Sequence, residues 1–228
     1  MTHQSEGEAN VALYNQQMIE NNQDIIPEPA LRRLPWYLAY VTLLNEKGVE
    51  YVSSTQISRE LKVDASQIAK DLSFLNIKGK TRIGYEVALL KHKLEEFLGF
   101  CRQHRAVIVG AGSLGGALMQ DSGLMRYGLE IVAGFDVDPS LVGTSKHGLP
   151  VFHVDNLVEG VRRLNAGIGI LCVPVEHAQS VADRLIEAGV KAIWNFTPYR
   201  ICAPEGIVIS NTSIYAHLAV MYNRMESL

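Results

Sequence analysis

The stretch "AVIVGAGSLGGALMQ", Ala106 to Gln120, decides the fold of the chain. Its short run of apolar, mostly β-branched residues predicts a buried strand, and the glycine-rich turn after it leads into an apolar helix. The turn matches G-x-G-x-x-G, in which the first glycine allows a tight turn, the second lets the backbone approach a pyrophosphate and the third lets helix and strand pack closely. We therefore assign the whole turn to a dinucleotide site: Gly110, Ala111, Gly112, Ser113, Leu114 and Gly115.

An acidic residue follows at the distance that such a site requires. Asp136, in "IVAGFDVDP", ends the second predicted strand 21 residues after Gly115. A carboxylate there accepts hydrogen bonds from the adenosine ribose and repels a 2′-phosphate, and no arginine follows it closely, which favours NAD(H) over NADP(H). The alternative is that Asp136 only caps the next turn, although Asp138 could do so instead. Val137 and Asp138 complete this part of the predicted site.

Strand and helix patterns alternate from residue 105 to residue 210, which predicts a parallel sheet with helices on both faces. We place strands at 106–109, 131–135, 151–153, 168–173, 192–196 and 207–209. Ligands of such sheets bind where the strands end at their carboxyl side. Two further strand ends therefore join the predicted cofactor site, with Cys172, Val173, Pro174, Asn195, Phe196, Thr197 and Pro198.

The first hundred residues have a different organisation. A polar tail, expected to be flexible, precedes a helix that we start near Leu34 because Pro35 suits a first turn. Ser53 or Ser54 can cap a second helix, and Asp64 with Gln67 can form a capping box for a third. This pair of short helices has helix-turn-helix spacing, and the glycine-containing stretch 78–87 predicts a basic hairpin behind it.

Charge supports DNA binding by this region. The chain has a net charge of −3, yet the window from Arg59 to Arg82 holds six basic and three acidic residues. The second helix of the pair would read bases through its outward residues, Ala69 among them, and the hairpin would be a wing on the phosphate backbone. The alternative is a small helical cap with a solvated charged face. The predicted DNA-binding residues are Arg33, Ser53, Ser54, Ser66, Gln67, Lys70, Lys78, Lys80, Arg82 and Tyr85.

Several classes of protein are disfavoured by the bulk properties of the 228 residues. No apolar run approaches the roughly 18 residues of a membrane span, and no signal peptide is evident, so we expect a cytoplasmic protein that does not contact membranes. Cys101, Cys172 and Cys202 are scattered singly, which predicts reduced, mostly buried thiols and no metal site.

Taken in order, the motifs of both halves resemble the Rex family of redox-sensing transcriptional repressors. The resemblance runs from about Ile26 to the end and is carried by "RLPWY" (33–37), "VSS" (52–54), "KDLSF" (70–74), "IGYEV" (83–87), "VGAGSLGGAL" (109–118), "FDVDP" (135–139), "GVKAIWNFTP" (189–198) and "IVISN" (207–211). It implies a winged helix joined to a Rossmann domain and a homodimer with a swapped C-terminal helix. It also implies that NADH lowers affinity for double-stranded DNA, and a two-fold dimer implies a palindromic operator.

The chain departs from the family pattern at positions that bear on function. Ala39 and Ala69 stand where the family usually has arginine, and the usual Arg-Gly step of the wing is Thr81–Arg82. Asp121 and Ser213 stand where the family often has a tyrosine and an aspartate that couple cofactor state to the DNA-binding domain, while their partner arginine, Arg33, remains. We therefore expect altered DNA affinity and a redox response of the usual sign but shallow.

The predicted domains are a flexible tail (1–25), a winged-helix DNA-binding domain (26–88), a linker helix (89–104), a Rossmann NAD(H)-binding domain (105–210) and a C-terminal dimerisation helix (211–228).

One rival function is an NAD-dependent oxidoreductase with an appended helical domain, but its candidate acids and bases, His147, His153, His177 and His217, sit in no catalytic motif. Another rival is a module that binds coenzyme A or a related adenine nucleotide. We expect a regulator with no catalytic residues.

Overall fold

The computed structural model describes residues 26–226, so the tail predicted to be flexible lies outside the described residues. The chain forms two compact units, and the boundary falls between Gly99 and Phe100. The helices and strands are α1 (Glu28–Glu46), β1 (Tyr51–Val52), α2 (Ser54–Leu61), α3 (Ala65–Ser73), β2 (Tyr85–Glu86), α4 (Val87–Phe97), β3 (His104–Val109), α5 (Ser113–Gln120), α6 (Ser122–Arg126), β4 (Leu129–Asp136), β5 (Ser145–Lys146), β6 (Leu149–His153), α7 (Leu157–Leu164), β7 (Ile168–Leu171), α8 (Ala178–Ala188), β8 (Ala192–Asn195), β9 (Val208–Asn211) and α9 (Ile214–Met225).

Helix α1 begins earlier than the sequence suggested. It starts at Glu28, and Pro35 lies inside it rather than in its first turn, so the predicted start near Leu34 is wrong. Pro35 removes the N–H that would bond to the Leu31 carbonyl group, but both residues are exposed, so water can reach that group. The inward face of the helix buries Leu34, Tyr37, Leu38 and Val41, and this packing holds the helix together across the proline.

The predicted helix-turn-helix is formed by α2 and α3. Ser53 caps α2 in a complete capping box with Gln56. Asp64 caps α3 by accepting from the backbone N–H groups of Ser66 and Gln67, but the Gln67 side chain does not complete a second capping box. The two helices share an apolar interior that includes Ile57, Ile68 and Leu72, all fully buried.

The hairpin predicted over 78–87 forms differently. β2 pairs antiparallel with β1, with Val52 opposite Tyr85, and inside the predicted hairpin the pairing is a single bridge between Lys80 and Gly84. The residues 78–84, here called the wing loop, therefore make a tight turn rather than a two-stranded ribbon. β1 escaped sequence analysis because it is only two residues long.

The helix expected to link the domains over 89–104 also differs. It begins at Val87 and ends at Phe97, and Gly99 follows with a φ of +77°. Leu90 and Leu94, one helical turn apart, are fully buried, and α4 packs against α1. The helix is therefore part of the first unit.

The second unit is built on a seven-stranded sheet in the order β5-β6-β4-β3-β7-β8-β9. Its strands pair in parallel, except that the edge strand β5 runs antiparallel to β6. All six predicted strands are present with shifted ends, and the order of the six parallel strands is that of a doubly wound dinucleotide-binding sheet. The predicted fold class, an N-terminal winged helix joined to a Rossmann-type domain, is confirmed.

The alternation of β3 places its side chains in two separate cores. Val107 and Val109 pack with residues of α7 and α8 on one face of the sheet, whereas Ala106 and Ile108 pack with Met119 of α5 on the other. Among the described residues, no helix is both long enough and apolar enough to cross a membrane.

Candidate functional site

A cleft of about 430 Å³ opens where the central strands of the second unit end. It is lined by the glycine loop after β3, the end of β4 and the turn after β7, as expected for a doubly wound sheet. The predicted residues that it brings together are Gly110, Gly112, Asp136, Val137, Cys172, Val173 and Pro174.

The three motif glycines have the geometry that their expected roles require. Gly110 has a φ of +92°, and a Cβ there would lie 2.4 Å from the Cys172 carbonyl oxygen. A Cβ on Gly115 would lie 1.9 Å from the Gly110 carbonyl oxygen, so close packing of α5 on β3 excludes any side chain. Gly112 is different, because nothing lies within 4 Å of a Cβ built there. Space for a ligand is thus open at the N-terminus of α5, where Ser113 and Leu114 are exposed.

Asp136 has the turn-capping role that the sequence allowed, and its role toward the ribose stays a prediction. Its Oδ1 accepts from the N–H groups of Val137 at 2.7 Å and Asp138 at 2.9 Å, so it caps its own turn. Its Oδ2 accepts from the N–H of Ala111 at 2.6 Å and so ties that turn to the glycine loop. The side chain stays half-exposed at the cleft. Asp138 instead caps the turn at Ser140 and does not line the cleft. Its role in the structure is to stabilise this turn, whereas we predicted that it binds the cofactor.

Sequence analysis missed one wall of the cleft. Val154 and four residues around the start of α8 line it: His177, Ser180, Val181 and Arg184. The Arg184 guanidinium donates to the Val154 carbonyl oxygen at 2.6 Å and so joins α8 to the turn after β6. This wall could have been predicted from the sequence, because the helix that follows a strand of such a sheet begins beside the crevice at the end of that strand.

The strand end at 195–198 lies outside the lining of this cleft. Asn195 is fully buried, and its side chain bonds to Tyr199, Asn211 and Thr197. Thr197 is also buried. Their side chains therefore brace the loop, and their contact with the cofactor stays a prediction. Phe196 packs on Trp194 with the ring planes tilted by 45° and the ring centroids 4.7 Å apart, and Pro198 is exposed.

The cysteines are less buried than predicted. Cys101 and Cys202 are exposed because they lie in loops rather than in strands, and only Cys172 is half-buried. Burial at the cleft raises the pKa of the Cys172 thiol to about 12, so it is protonated at neutral pH.

In the first unit, a buried carboxylate joins α1 to α3. Asp71 is fully buried and accepts from Arg33 Nε at 2.7 Å, Arg33 Nη2 at 2.8 Å, Tyr37 Oη at 2.7 Å and Gln67 Nε2 at 2.7 Å. Burial raises the pKa of Asp71, but the hydrogen bonds from Arg33, Tyr37 and Gln67 outweigh it and the pKa is lowered overall. Arg33 and Gln67, both predicted to contact DNA, therefore have a structural partner in Asp71, and their DNA contacts stay a prediction.

The exposed face of α3 comprises Ser66, Ala69, Lys70 and Ser73. Lys78, Lys80 and Arg82 are exposed on the wing loop, and Lys80 donates to Tyr51 Oη at 2.7 Å while lying over the ring of Tyr51. Of the other predicted contacts, Ser53 is the cap of α2, Ser54 is half-buried in its first turn, and Tyr85 is half-buried with its pKa raised by burial.

Two family models match separate parts of the chain. The "Putative DNA-binding protein N-terminus" family matches residues 25–73, and the "CoA binding domain" family matches residues 102–199. The first contains α1, α2 and α3, and the second contains most of the parallel sheet with the cleft.

Relatives match nearly the whole chain. It is 58% identical over 212 residues to the redox-sensing transcriptional repressor Rex of Bacteroides fragilis, covering 93% of this chain and 96% of that protein. The crystal structure of RSP, a Rex-family repressor, in complex with β-NAD⁺ and operator DNA has a TM-score of 0.86 at 33% identity, covering 90% of this chain and 94% of that one. RSP in complex with β-NADH has a TM-score of 0.80 at 34% identity, covering 90% and 96%. The chain therefore belongs to the Rex family of redox-sensing transcriptional repressors.

Proposed function

We propose that the protein represses transcription by binding a palindromic operator through its first unit, and that NADH bound in the second unit lowers its affinity for that operator. The observation that carries the proposal is the cleft at Gly112 and Asp136. An open glycine lies at the N-terminus of α5, where a pyrophosphate is favoured, and a carboxylate that can accept from ribose hydroxyls lies at the adjacent strand end.

The same carboxylate favours NAD(H) over the other adenine nucleotides that were considered. NADP(H) carries a phosphate on the 2′-oxygen of the adenosine ribose, and coenzyme A carries one on the 3′-oxygen. Either phosphate would bring negative charge against the Asp136 carboxylate, which already accepts three backbone N–H groups and offers no donor to a phosphate. The family model named for coenzyme A supports the alternative ligand, but Asp136 opposes it.

The relatives support the DNA and cofactor assignments. RSP, 33–34% identical to this chain, has been crystallised with β-NAD⁺ and operator DNA and with β-NADH. The exposed basic residues of α3 and the wing loop, Lys70, Lys78, Lys80 and Arg82, are the groups that we expect to contact DNA. Such a function is carried out in the cytoplasm.

We also propose a homodimer built on α9. None of the side chains of this helix is buried, although it carries Ile214, Tyr215, Val220, Met221, Tyr222 and Met225. An apolar helix left open to water favours a partner surface, and the family resemblance suggests that a second copy supplies it. A two-fold dimer would read two half-sites, which is why a palindromic operator is expected.

A regulator should bind NADH without consuming it. The protein would be mixed with NADH, and the fluorescence and absorbance of the nicotinamide followed together. We expect a fluorescence change with stable absorbance, and competition by NAD⁺ but not by coenzyme A. Steady loss of absorbance would favour the oxidoreductase, and displacement of NADH by coenzyme A at lower concentration than NAD⁺ would favour the coenzyme A module.

Two variants test the placement of the site. Gly112→Val should abolish NADH binding with an unchanged circular dichroism spectrum, because its side chain would occupy the open space at the helix N-terminus. Asp136→Ala should weaken NADH binding and reduce its preference over NADPH. Parent-like binding by Gly112→Val would show that the cofactor binds elsewhere, and an unchanged preference would remove Asp136 from the ribose role.

A further inference from the structure

Ala111, between the first two glycines of the loop, is held at both of its backbone polar groups by charged side chains. Its N–H donates to Asp136 Oδ2 at 2.6 Å, and its carbonyl oxygen accepts from Lys146 Nζ at 2.7 Å. Lys146 Nζ also donates to the Gly112 carbonyl oxygen at 3.2 Å. Two strands, β4 and β5, thus contribute opposite charges that fix the backbone of the glycine loop.

A short hairpin delivers Lys146 to this position. β5 pairs antiparallel with β6, with Lys146 opposite Leu149, and the two residues between them have positive φ angles of +53° at His147 and +81° at Gly148. Positive φ at both positions is the geometry of a tight hairpin turn. The turn fixes the pairing register of β5 with β6, and this register places the side chain of Lys146 against the glycine loop.

Gly116, one residue beyond the motif, makes room for the lysine. A Cβ at this buried position would lie 2.5 Å from both Cε and Nζ of Lys146, whereas the nearest backbone atom, the Ala111 carbonyl oxygen, would lie 3.4 Å away. The end of a lysine can move aside where backbone cannot. An alanine at 116 would therefore displace the ammonium group without disturbing the path of the chain.

Resting on the proposed NAD(H) site, we propose that Lys146 is a positioning residue for the pyrophosphate. It fixes the carbonyl groups of Ala111 and Gly112, which keeps the open N-terminus of α5 in place to receive the phosphates. The positive charge of Lys146 also offsets the negative charge of Asp136, which bonds to the N–H of the same residue and would otherwise repel a doubly negative ligand. Two of its three N–H donors are used in this way, and the side chain is half-exposed.

Ligands with and without the pyrophosphate separate this role from a purely structural one. Isothermal titration would compare NADH, ADP-ribose and adenosine for the parent, Lys146→Met and Lys146→Arg, with Lys191→Met as the control. Lys191 is an exposed lysine just before β8, at the end of the sheet where the strands begin and away from the cleft. Lys146→Met should lose about 5–20-fold in affinity for NADH and ADP-ribose, the size expected for a charged hydrogen-bonding group, and less than twofold for adenosine. The arginine variant should recover most of the loss.

Salt gives a second readout that a merely structural role would not move. Parent affinity for NADH should fall as salt rises, and the slope should be shallower in Lys146→Met because one charge facing the ligand is gone.

Gly116→Ala tests the same role without touching the lysine. Gly116→Ala should lose as much affinity for NADH as Lys146→Met does. The double variant should lose no more affinity than either single variant, because both changes remove the same ammonium group from the loop. Additive losses would overturn the proposal, as would equal weakening of adenosine and NADH or parent-like NADH binding by Lys146→Met. Failure of the parent itself to bind NADH would instead overturn the proposed function.

Discussion

Arg33 and Asp71 form a two-point ion pair that joins α1 to α3, the helix that we propose reads DNA. The two hydrogen bonds are 2.7 and 2.8 Å long, and the exposed fractions of the two side chains are 22% and 0%. Gln67, one turn earlier in the same helix, also donates to this carboxylate. The position of the reading helix therefore depends on a residue 38 positions away in the sequence.

Asp71→Asn should destabilise the protein strongly. It removes the charge that balances Arg33 and turns an amide donor toward existing donors, so the free energy of unfolding should fall by about 2–4 kcal/mol. Glu28→Gln is the matched control, because Glu28 pairs with Arg32 on the same helix but both side chains are more than 70% exposed. Denaturant unfolding should show little change for the control. Equal effects of the two variants would show that the buried pair does not hold the unit together.

The same pair predicts acid sensitivity. The pKa of Asp71 is lowered in the folded state, so its contribution to stability is full above the unfolded value of about 3.9 and is lost as pH falls through the lower folded value. Unfolding free energy measured from pH 6 to pH 3 should therefore fall more steeply for the parent than for Asp71→Asn. Parallel curves would contradict a lowered pKa at this residue.

Substitutions of Gln67 and Lys70 should have different effects, the first on stability and the second on DNA binding. The Gln67 amide is committed to Asp71, so Gln67→Ala should cost stability while leaving base preference at each operator position unchanged. Lys70 is exposed, and Lys70→Ala should leave stability unchanged but cost about 1–3 kcal/mol of DNA binding if it contacts a base. A base preference lost at one position in Gln67→Ala would instead restore the direct reading role that we first predicted.

The backbone of the wing loop is strained at Arg82. Arg82 has a φ of +64°, at the position where the family usually has glycine, and this left-handed conformation disfavours a side chain. Arg82→Gly should raise the free energy of unfolding by about 0.5–1 kcal/mol, whereas Arg82→Ala, which removes the same charge but keeps a Cβ, should not. Both should flatten the salt dependence of DNA binding by roughly one unit if Arg82 contacts a phosphate. Equal stability of the two variants would show that the loop relaxes around residue 82.

The structural features that could be predicted from the sequence are local ones. The strand, turn and helix at 106–120, the cap at Ser53 and the alternation that builds the parallel sheet all depend on residues close together in the chain. The structural partners of Gln67, Asn195 and Thr197 could not be predicted, because burial is not visible in a short window of sequence. Lys146 was missed for a different reason, because its partner Ala111 lies 35 positions away in the sequence.

The boundaries of α1 and the wing show a second limit. A proline inside α1 and a two-residue strand at β1 both contradict local preference, and packing on the inward face of α1 and pairing of β1 with β2 outweigh it.

We propose that the nicotinamide state of the bound cofactor changes the affinity of the protein for DNA. A ligand can shift this equilibrium only by its different affinities for the two states of the protein. The direct test is a titration of a palindromic operator at fixed protein and salt, with saturating NAD⁺ and then saturating NADH. We predict weaker binding with NADH, by less than the tenfold that corresponds to about 1.4 kcal/mol of coupling, because Asp121 and Ser213 replace the usual coupling pair. Equal affinities in the two titrations would contradict the account and leave a DNA-binding protein whose nucleotide is only structural.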